Sequence, residues 1–195
     1  MLSSVSAASP APAGEFVQWD DAFSAAELAA IEKYGDSLTP RKADLSDIRA
    51  GYDDIRIINV AWIERGPQTI WLYQRLEEIV LRLNAEFFRY DLFGLSENLQ
   101  YTVYDGSEGS HFDWHSDNGN VHIEPRKISL SLQLSDGDAY QGCDLELHSA
   151  GHVQTAPRKR GTLIAFPSYV LHRVTPIRAG SRKSLVVWAA GPEFQ

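Results

Sequence analysis

Between Tyr104 and Asp117 the chain gathers side chains that bind metals or move protons: Tyr104, Asp105, Glu108, His111, Asp113, His115 and Asp117, with Gly106 and Gly109 among them. His115 and Asp117 stand at i and i+2. In an extended chain those positions share a face, so an imidazole and a carboxylate can converge on one ion. A third ligand has to come from a distant segment, and the later histidines are His122, His148, His152 and His172. His172 stands out. It follows the apolar run Thr162–Phe166 and the Pro167-Ser168 turn, and it precedes Arg173-Val174-Thr175-Pro176. Two histidines and one carboxylate form the ligand set that holds Fe(II) while leaving coordination positions open. A His-x-Asp pair alone is common in ordinary cores. Arg182 and Ser184 add the second feature: on a final strand they face the same way, and a guanidinium beside a hydroxyl suits a dicarboxylic acid.

Other chemistries fit less well. His111 and His115 stand at i and i+4, as in a helical zinc site. That site needs Glu after the first histidine, where Phe112 sits, and the two glycines argue against a helix. His111 then reads as a residue behind the ligands or on the substrate side, or as a surface histidine. The chain has no G-x-S-x-G elbow, P-loop or dinucleotide fingerprint. Cys143, beside Gly142, reads as a small packed side chain rather than a nucleophile.

The bulk composition sets limits. The 195 residues carry a net charge of −8. An acidic chain whose one basic cluster is Arg158-Lys159-Arg160 is not a general nucleic-acid binder, since phosphate contacts need clustered cations. A single cysteine allows no internal disulfide, which points to a reducing compartment and a cytoplasmic location. No run approaches the roughly 20 apolar residues of a membrane span, so no membrane partner is expected. Residues 1–15, rich in Ala, Ser and Pro, read as a flexible leader. The rest, 16–195, reads as one domain, with a helical N-terminal part over 16–95 and a β-rich core over 96–195.

The elements that must position these groups follow from the pattern. Ser24 and Glu27 have capping-box spacing, predicting a helix to about Tyr34 that stops at Gly35. Residues 55–63 read as a strand. Leu72, Leu76, Ile79, Val80, Leu83 and Phe87 make one face of a helix over roughly 68–89. Beyond residue 97 the segments are short and β-branched, with candidate strands at 98–104, 111–116, 127–135, 143–148, 161–166, 170–174 and 182–190. In 127–135, Ile128, Leu130, Leu132 and Leu134 alternate with Ser129, Ser131 and Gln133, as in a half-buried strand whose other face is polar. Many short strands predict a two-sheet jelly roll or barrel with the helices packed outside one sheet. The glycine-bearing loops around 105–113 and 118–125 flank the ligand pair, and at least one of them is expected to be mobile without substrate and to close over it.

From Tyr104 to Trp188 the chain resembles the catalytic core of the prolyl-4-hydroxylase-like branch of the 2-oxoglutarate/Fe(II)-dependent oxygenases, including the PKHD-type hydroxylases. The resemblance rests on Tyr104-x-Gly106, His115-x-Asp117, the strand from Arg126, Tyr140-x-Gly142, Gly161, Pro167, His172-x-Val174-x-Pro176, Gly180, Arg182 and Trp188. It implies a mainly β fold, a double-stranded β-helix (jelly roll) with flanking N-terminal α-helices. It implies Fe(II) on His115, Asp117 and His172 as the catalytic centre, with 2-oxoglutarate as co-substrate and O2 as oxidant. Arg182 matches the partner of the 2-oxoglutarate C5 carboxylate. Tyr104 matches a tyrosine lining the co-substrate pocket, and Trp188 an aromatic near the iron. Gln133 falls where relatives place a tyrosine that hydrogen-bonds 2-oxoglutarate, so an amide substitutes. Gly142-Cys143 stands where PKHD-type relatives carry Gly-Gly.

The resemblance implies a dioxygenase that hydroxylates a C–H bond, of a prolyl residue in a protein or peptide or, alternatively, of a free amino acid or other small molecule. Asp117 favours hydroxylation over halogenation, because related halogenases carry a small residue there. The nucleic-acid demethylase branch lacks support, since its second arginine motif is missing. From another class, a non-catalytic or cupin-type jelly-roll binding protein shares the barrel. Such a protein would show a broken triad or a set of three histidines and a glutamate in other spacings.

Overall fold

A computed structural model describes residues 11–13, 16–42, 56–118, 124–149 and 151–194. In chain order the elements are β1 (Ala11–Ala13), β2 (Phe16–Trp19), α1 (Ala25–Ser37), β3 (Arg41–Lys42), β4 (Arg56–Ile57), β5 (Asn59–Ile63) and α2 (Ile70–Leu83). Then come β6 (Leu99–Asp105), β7 (His111–His115), β8 (Arg126–Gln133), β9 (Tyr140–Gly142) and β10 (Leu145–Ser149). The last are β11 (His152–Thr155), β12 (Leu163–Pro167), β13 (Leu171–Val174) and β14 (Ile177–Ala190). Among the described residues the strands form a nine-stranded sheet, ordered β1-β2-β12-β8-β14-β6-β5-β3 with β9 on β14, and a five-stranded sheet, ordered β11-β10-β13-β7-β4. Every pairing is antiparallel. The two faces form a mainly β, jelly-roll-like core with two helices, as expected.

Alternation along the central strands creates two apolar layers. One row of β8 (Ile128, Leu130, Leu132) and of β14 (Leu185, Val187, Ala189) points outward and packs under the helices. Leu28 and Ile31 of α1 meet it, as do Leu72, Leu76, Ile79, Val80 and Leu83 of α2. The other layer lies between the sheets, where Ile164 and Phe166 of β12 meet Leu145 and Leu147 of β10 and Val174 of β13. The polar row of β8 departs from expectation. Ser129 and Gln133 are buried, not solvated, because the second sheet covers that face.

The residues before 96 do not stand apart from the jelly roll. The expected helical N-terminal part supplies strands as well: β2 pairs with β12, β5 with β6, and β4 with β7. Of the leader expected over 1–15, residues 1–10 and 14–15 lie outside the described residues. Ala11–Ala13 is a strand, hydrogen-bonded along β2. The last strand starts at Ile177 rather than 182, because its first residues pair with β9 before the chain reaches β6 and β8.

The second helix is α-helical only to Leu83. It loosens into a π-turn over Asn84–Phe88 and ends at Arg89, with φ +58°. Asn84 closes that end, accepting from the Tyr90 N–H and donating to the Tyr90 carbonyl, both at 2.8 Å. The first helix begins as predicted, with the Ser24–Glu27 box formed in both directions. It then runs through Gly35 to Ser37. Gly35 is therefore not a stop signal but a point of close approach. A Cβ there would lie 2.5 Å from the Tyr101 ring, which is buried and held through its hydroxyl to Asp36 at 2.8 Å.

This contact opposes helix propensity. Alanine gains about 1 kcal/mol over glycine inside a helix, but forcing a methyl into a packed ring costs about 1–3 kcal/mol, more where the ring cannot shift. Gly35→Ala is expected to lower the urea midpoint of unfolding without changing its slope. A raised midpoint would show that the ring yields.

Candidate active site

The two histidines are neighbours across a ladder. His115 ends β7 and pairs in register with His172 of β13, so both imidazoles leave the same face of the five-stranded sheet. Their ring centroids lie 4.2 Å apart. Phe112 stacks on His115 at 3.5 Å, and Phe166 meets His172 edge-on at 4.7 Å. Each ring is turned by its own backbone. His115 Nδ1 lies 2.8 Å from the Asp113 carbonyl and His172 Nδ1 lies 2.9 Å from that of Val170. A carbonyl only accepts, so Nδ1 carries the proton and Nε2 presents its lone pair.

Asp117 completes the group. It lies just past the end of β7, in a bend rather than on the strand, so strand alternation alone does not aim it. Its N–H donates to the Ser168 carbonyl at 2.8 Å. Its Oδ2 accepts from Ser129 Oγ at 2.7 Å, and Ser129 Oγ is 2.9 Å from Ser168 Oγ. Asp117 Oδ1 is 3.8 Å from His115 Nε2, and Oδ2 is 3.5 Å from His172 Nε2. One ligand atom from each of the three residues falls within 4.8 Å of the others.

Electrostatics leave His115 and Asp117 in the state a cation needs. Burial, then the neighbouring His172, pulls the His115 imidazolium down to about 4, so its lone pair is free at neutral pH. Burial pushes the Asp117 carboxyl up. His172, His115 and Arg126, with the Ser129 hydrogen bond, pull it down further, to a net value of about 2, so it is ionised. Two imidazole nitrogens and one carboxylate suit Fe(II) with an open side.

A cavity deeper between the sheets is lined by Ser131, Gln133, Tyr140, Cys143, Arg158 and Arg182, among others. Arg182 is buried and its Nε donates to Gln133 Oε1 at 2.9 Å. Its guanidinium carbon lies 5.4 Å from the Tyr104 ring centre. Ser184 is buried two positions along the same strand but is not part of the cavity lining. Trp188 pairs with Ser129, so it sits level with Asp117 rather than with Arg182. Arg126 covers its ring at 3.6 Å and Trp62 lies 6.4 Å away.

Cys143 occupies the position where glycine was expected, and it adopts the glycine conformation, with φ +58°. Gly142 before it cannot be replaced: a Cβ there would lie 2.4 Å from the Pro176 carbonyl oxygen. The Cys143 thiol touches Arg182, and burial pushes its pKa up, so it is neutral. His111 stands away from the group, with its ring Nδ1 on the Gly109 carbonyl at 3.1 Å. Of the loops expected to close, Gly106–Glu108 forms a 3-10 turn and His111–His115 a strand. Residues 119–123, His122 among them, lie outside the described residues. Ser129, Ser168 and Tyr140 were not singled out as site residues. The signal for Ser129 lay in the β8 alternation, where a polar row opposed an apolar one.

Comparison with known proteins agrees with this geometry. The model of the 2OG-Fe(II) oxygenase superfamily matches residues 99–190. A PKHD-type hydroxylase of Teredinibacter turnerae is 36% identical over 89 residues, 43% of this chain and 37% of that protein. Another, from Cupriavidus pinatubonensis, is 30% identical over 148 residues, 72% of this chain and 64% of that protein. The chain thus spans less than two thirds of the length of either relative. A Pseudomonas putida prolyl-4-hydroxylase superposes with TM-score 0.69 at 21% identity, covering 92% of this chain and 94% of that one. A Trichoplax adhaerens prolyl hydroxylase, solved with a hypoxia inducible factor peptide fragment, gives TM-score 0.72 at 21% identity over 91% of this chain and 84% of that one. By the superfamily match the β-rich core, residues 99–190, is that of a 2OG-Fe(II) oxygenase.

Partners that orient a metal ligand typically matter about 10–100-fold in affinity. Ser129→Ala is expected to weaken Mn(II) or Fe(II) binding by about that factor, while Asp117→Ala abolishes it. Metal titration followed by calorimetry reads both. Equal affinity in Ser129→Ala and the parent would show that Ser168 alone aims the carboxylate.

Proposed function

We propose that the chain is a dioxygenase that hydroxylates a C–H bond of a prolyl residue in a protein or peptide, using Fe(II), 2-oxoglutarate and O2. The observation that carries the reading is the pairing of an intact His115-Asp117-His172 group with a buried arginine deeper in the same inter-sheet space. Neither a cupin-type site nor a non-catalytic jelly roll calls for that pair. The PKHD-type relatives and the prolyl hydroxylase folds favour a prolyl peptide over a free amino acid. Among the described residues no helix is long and apolar enough to cross a membrane, and the single cysteine suits the cytoplasm.

Each residue then has a physical task. His115, Asp117 and His172 hold the metal and leave one side of it open. Arg182 takes the distal carboxylate of 2-oxoglutarate, which orients the 2-oxo acid end toward the metal. Phe112 and Phe166 flank the imidazoles and keep water from them. Trp62 and Trp188 offer an apolar wall level with Asp117, suited to a pyrrolidine ring. Iron with its co-substrate supplies the oxidising power: the substrate gains one oxygen atom, and 2-oxoglutarate leaves as succinate and CO2.

Incubation of a prolyl-peptide panel with protein, Fe(II) and 2-oxoglutarate is expected to give succinate release coupled to a mass gain of one oxygen. Succinate release driven only by free amino acids would replace the peptide reading. Removing one partner of a buried charge pair costs about 3–5 kcal/mol. Entering water lowers this, and about 2.8 kcal/mol is already a hundredfold. Arg182→Ala should therefore raise the 2-oxoglutarate KM by about a hundredfold with metal affinity intact. Arg182→Lys should restore part of the loss, since the charge returns without the fork. An unchanged KM would place the anchor elsewhere.

A further inference from the structure

The hydrogen bonds around Arg182 leave the buried Tyr140 O–H without an acceptor. A guanidinium only donates, so the Gln133 atom that receives Arg182 Nε–H has to be the amide oxygen. This fixes the amide orientation. The Gln133 NH2 group faces the other way and spends both protons, on the Ser135 carbonyl and on the Tyr140 hydroxyl, each at 2.9 Å. Tyr140 Oη is therefore an acceptor in that bond, and its own O–H must point to something else. Among the described residues no acceptor takes it. The side chain is buried, only 4% exposed, so bulk water is not a ready substitute.

Tyr140 is also held rigidly. The Arg158 guanidinium lies 4.2 Å over its ring and donates to its carbonyl at 2.7 Å and to that of Gly137 at 2.8 Å. Asp144 sits 3.6 Å from the other terminal nitrogen of that guanidinium. The tyrosine and Arg182 line one cavity, joined through a single glutamine that touches both. A cation and a spare O–H donor fixed around one cavity describe a receptor for a carboxylate with two oxygens.

We propose that Tyr140, rather than Gln133, is the second donor to the distal carboxylate of the co-substrate, and that Gln133 is a positioning residue which sets the spacing of Arg182 and Tyr140. This rests on the 2-oxoglutarate reading of the site. The carboxylate receives Arg182 on one side and the Tyr140 hydroxyl on the other. The glutamine amide, with its oxygen and both protons engaged, contacts the anion only through these two. Arg158, at the cavity wall, clamps the tyrosine through its ring and carbonyl.

The test separates contact with the carboxylate from support of the cavity. Mn(II)-loaded protein, kept free of O2, is titrated calorimetrically with 2-oxoglutarate and with 2-oxobutanoate, which has the same 2-oxo acid head but no distal carboxylate. A hydrogen bond to a charged group implies a loss of about ten- to a hundredfold in 2-oxoglutarate affinity for Tyr140→Phe. Affinity for 2-oxobutanoate should not change, which also shows that the variant is folded and metal-loaded. Parent-like 2-oxoglutarate affinity in Tyr140→Phe overturns the proposal. So does an equal loss for both ligands, because the hydroxyl would then be supporting the cavity as a whole. If the parent protein itself fails to prefer 2-oxoglutarate over 2-oxobutanoate, the co-substrate reading fails first and the role of Tyr140 falls with it.

Discussion

The hydrogen bond from Ser129 to Asp117 joins the parts on which the site depends. Asp117 follows a strand of the smaller sheet, while Ser129 belongs to the central strand of the larger one. The carboxylate is thus tied to both sheets, and the same oxygen faces His172. Ser168 adds a second tie, through its backbone to Asp117 and its hydroxyl to Ser129. A buried carboxylate is costly unless its charge is matched and its oxygens are hydrogen-bonded. Here the match comes from neighbours that a bound cation would strengthen. The metal group therefore sits where the two sheets are held at a fixed separation.

The register of β8 against β14 then measures out the rest of the site. Ser129 lies opposite Trp188, and Gln133 opposite Ser184. The two β8 residues share a face at i and i+4, about 13 Å apart along a strand. At one level are the carboxylate ligand and the tryptophan wall, and at the other the glutamine that holds Arg182. Slipping that register by one residue would turn every one of these side chains into the helix-packed layer. The apolar row under α1 and α2 prevents this, since Leu130, Leu132, Leu185 and Val187 would have to face the polar cavity. The outer hydrophobic layer thereby guards the geometry of the inner polar one.

Close backbone approaches complete the frame. The β9–β14 pairing sets Tyr140 against Gly180 and Gly142 against Ile177, where the Pro176 carbonyl leaves no room for a side chain on Gly142. The next residue, Cys143, accepts a left-handed backbone, which costs a side-chain-bearing residue about 1–2 kcal/mol. Its thiol, placed on Arg182, fills space that the expected glycine would leave open.

Residue types and spacing alone singled out the His115-Asp117-His172 group and Arg182, and determined the two-layer β architecture and most strands of the core. These depend on local chemistry and on a period of two, both of which are written in sequence. The tertiary structure decided the rest. Gly35 had the composition of a helix stop, yet it serves a contact with Tyr101, a residue distant in sequence. Ser129 and Gln133 had the alternation of a solvated face, yet a second sheet covers them. Asp117 had strand spacing from His115, but a bend and a cross-sheet hydrogen bond aim it. Tyr140 carried no chemical signal by itself. Its free proton emerges only when Arg182, arriving from the last strand, fixes which end of the Gln133 amide is which. In each case the deciding partner lies far along the chain, and no periodicity encodes which distant groups will meet.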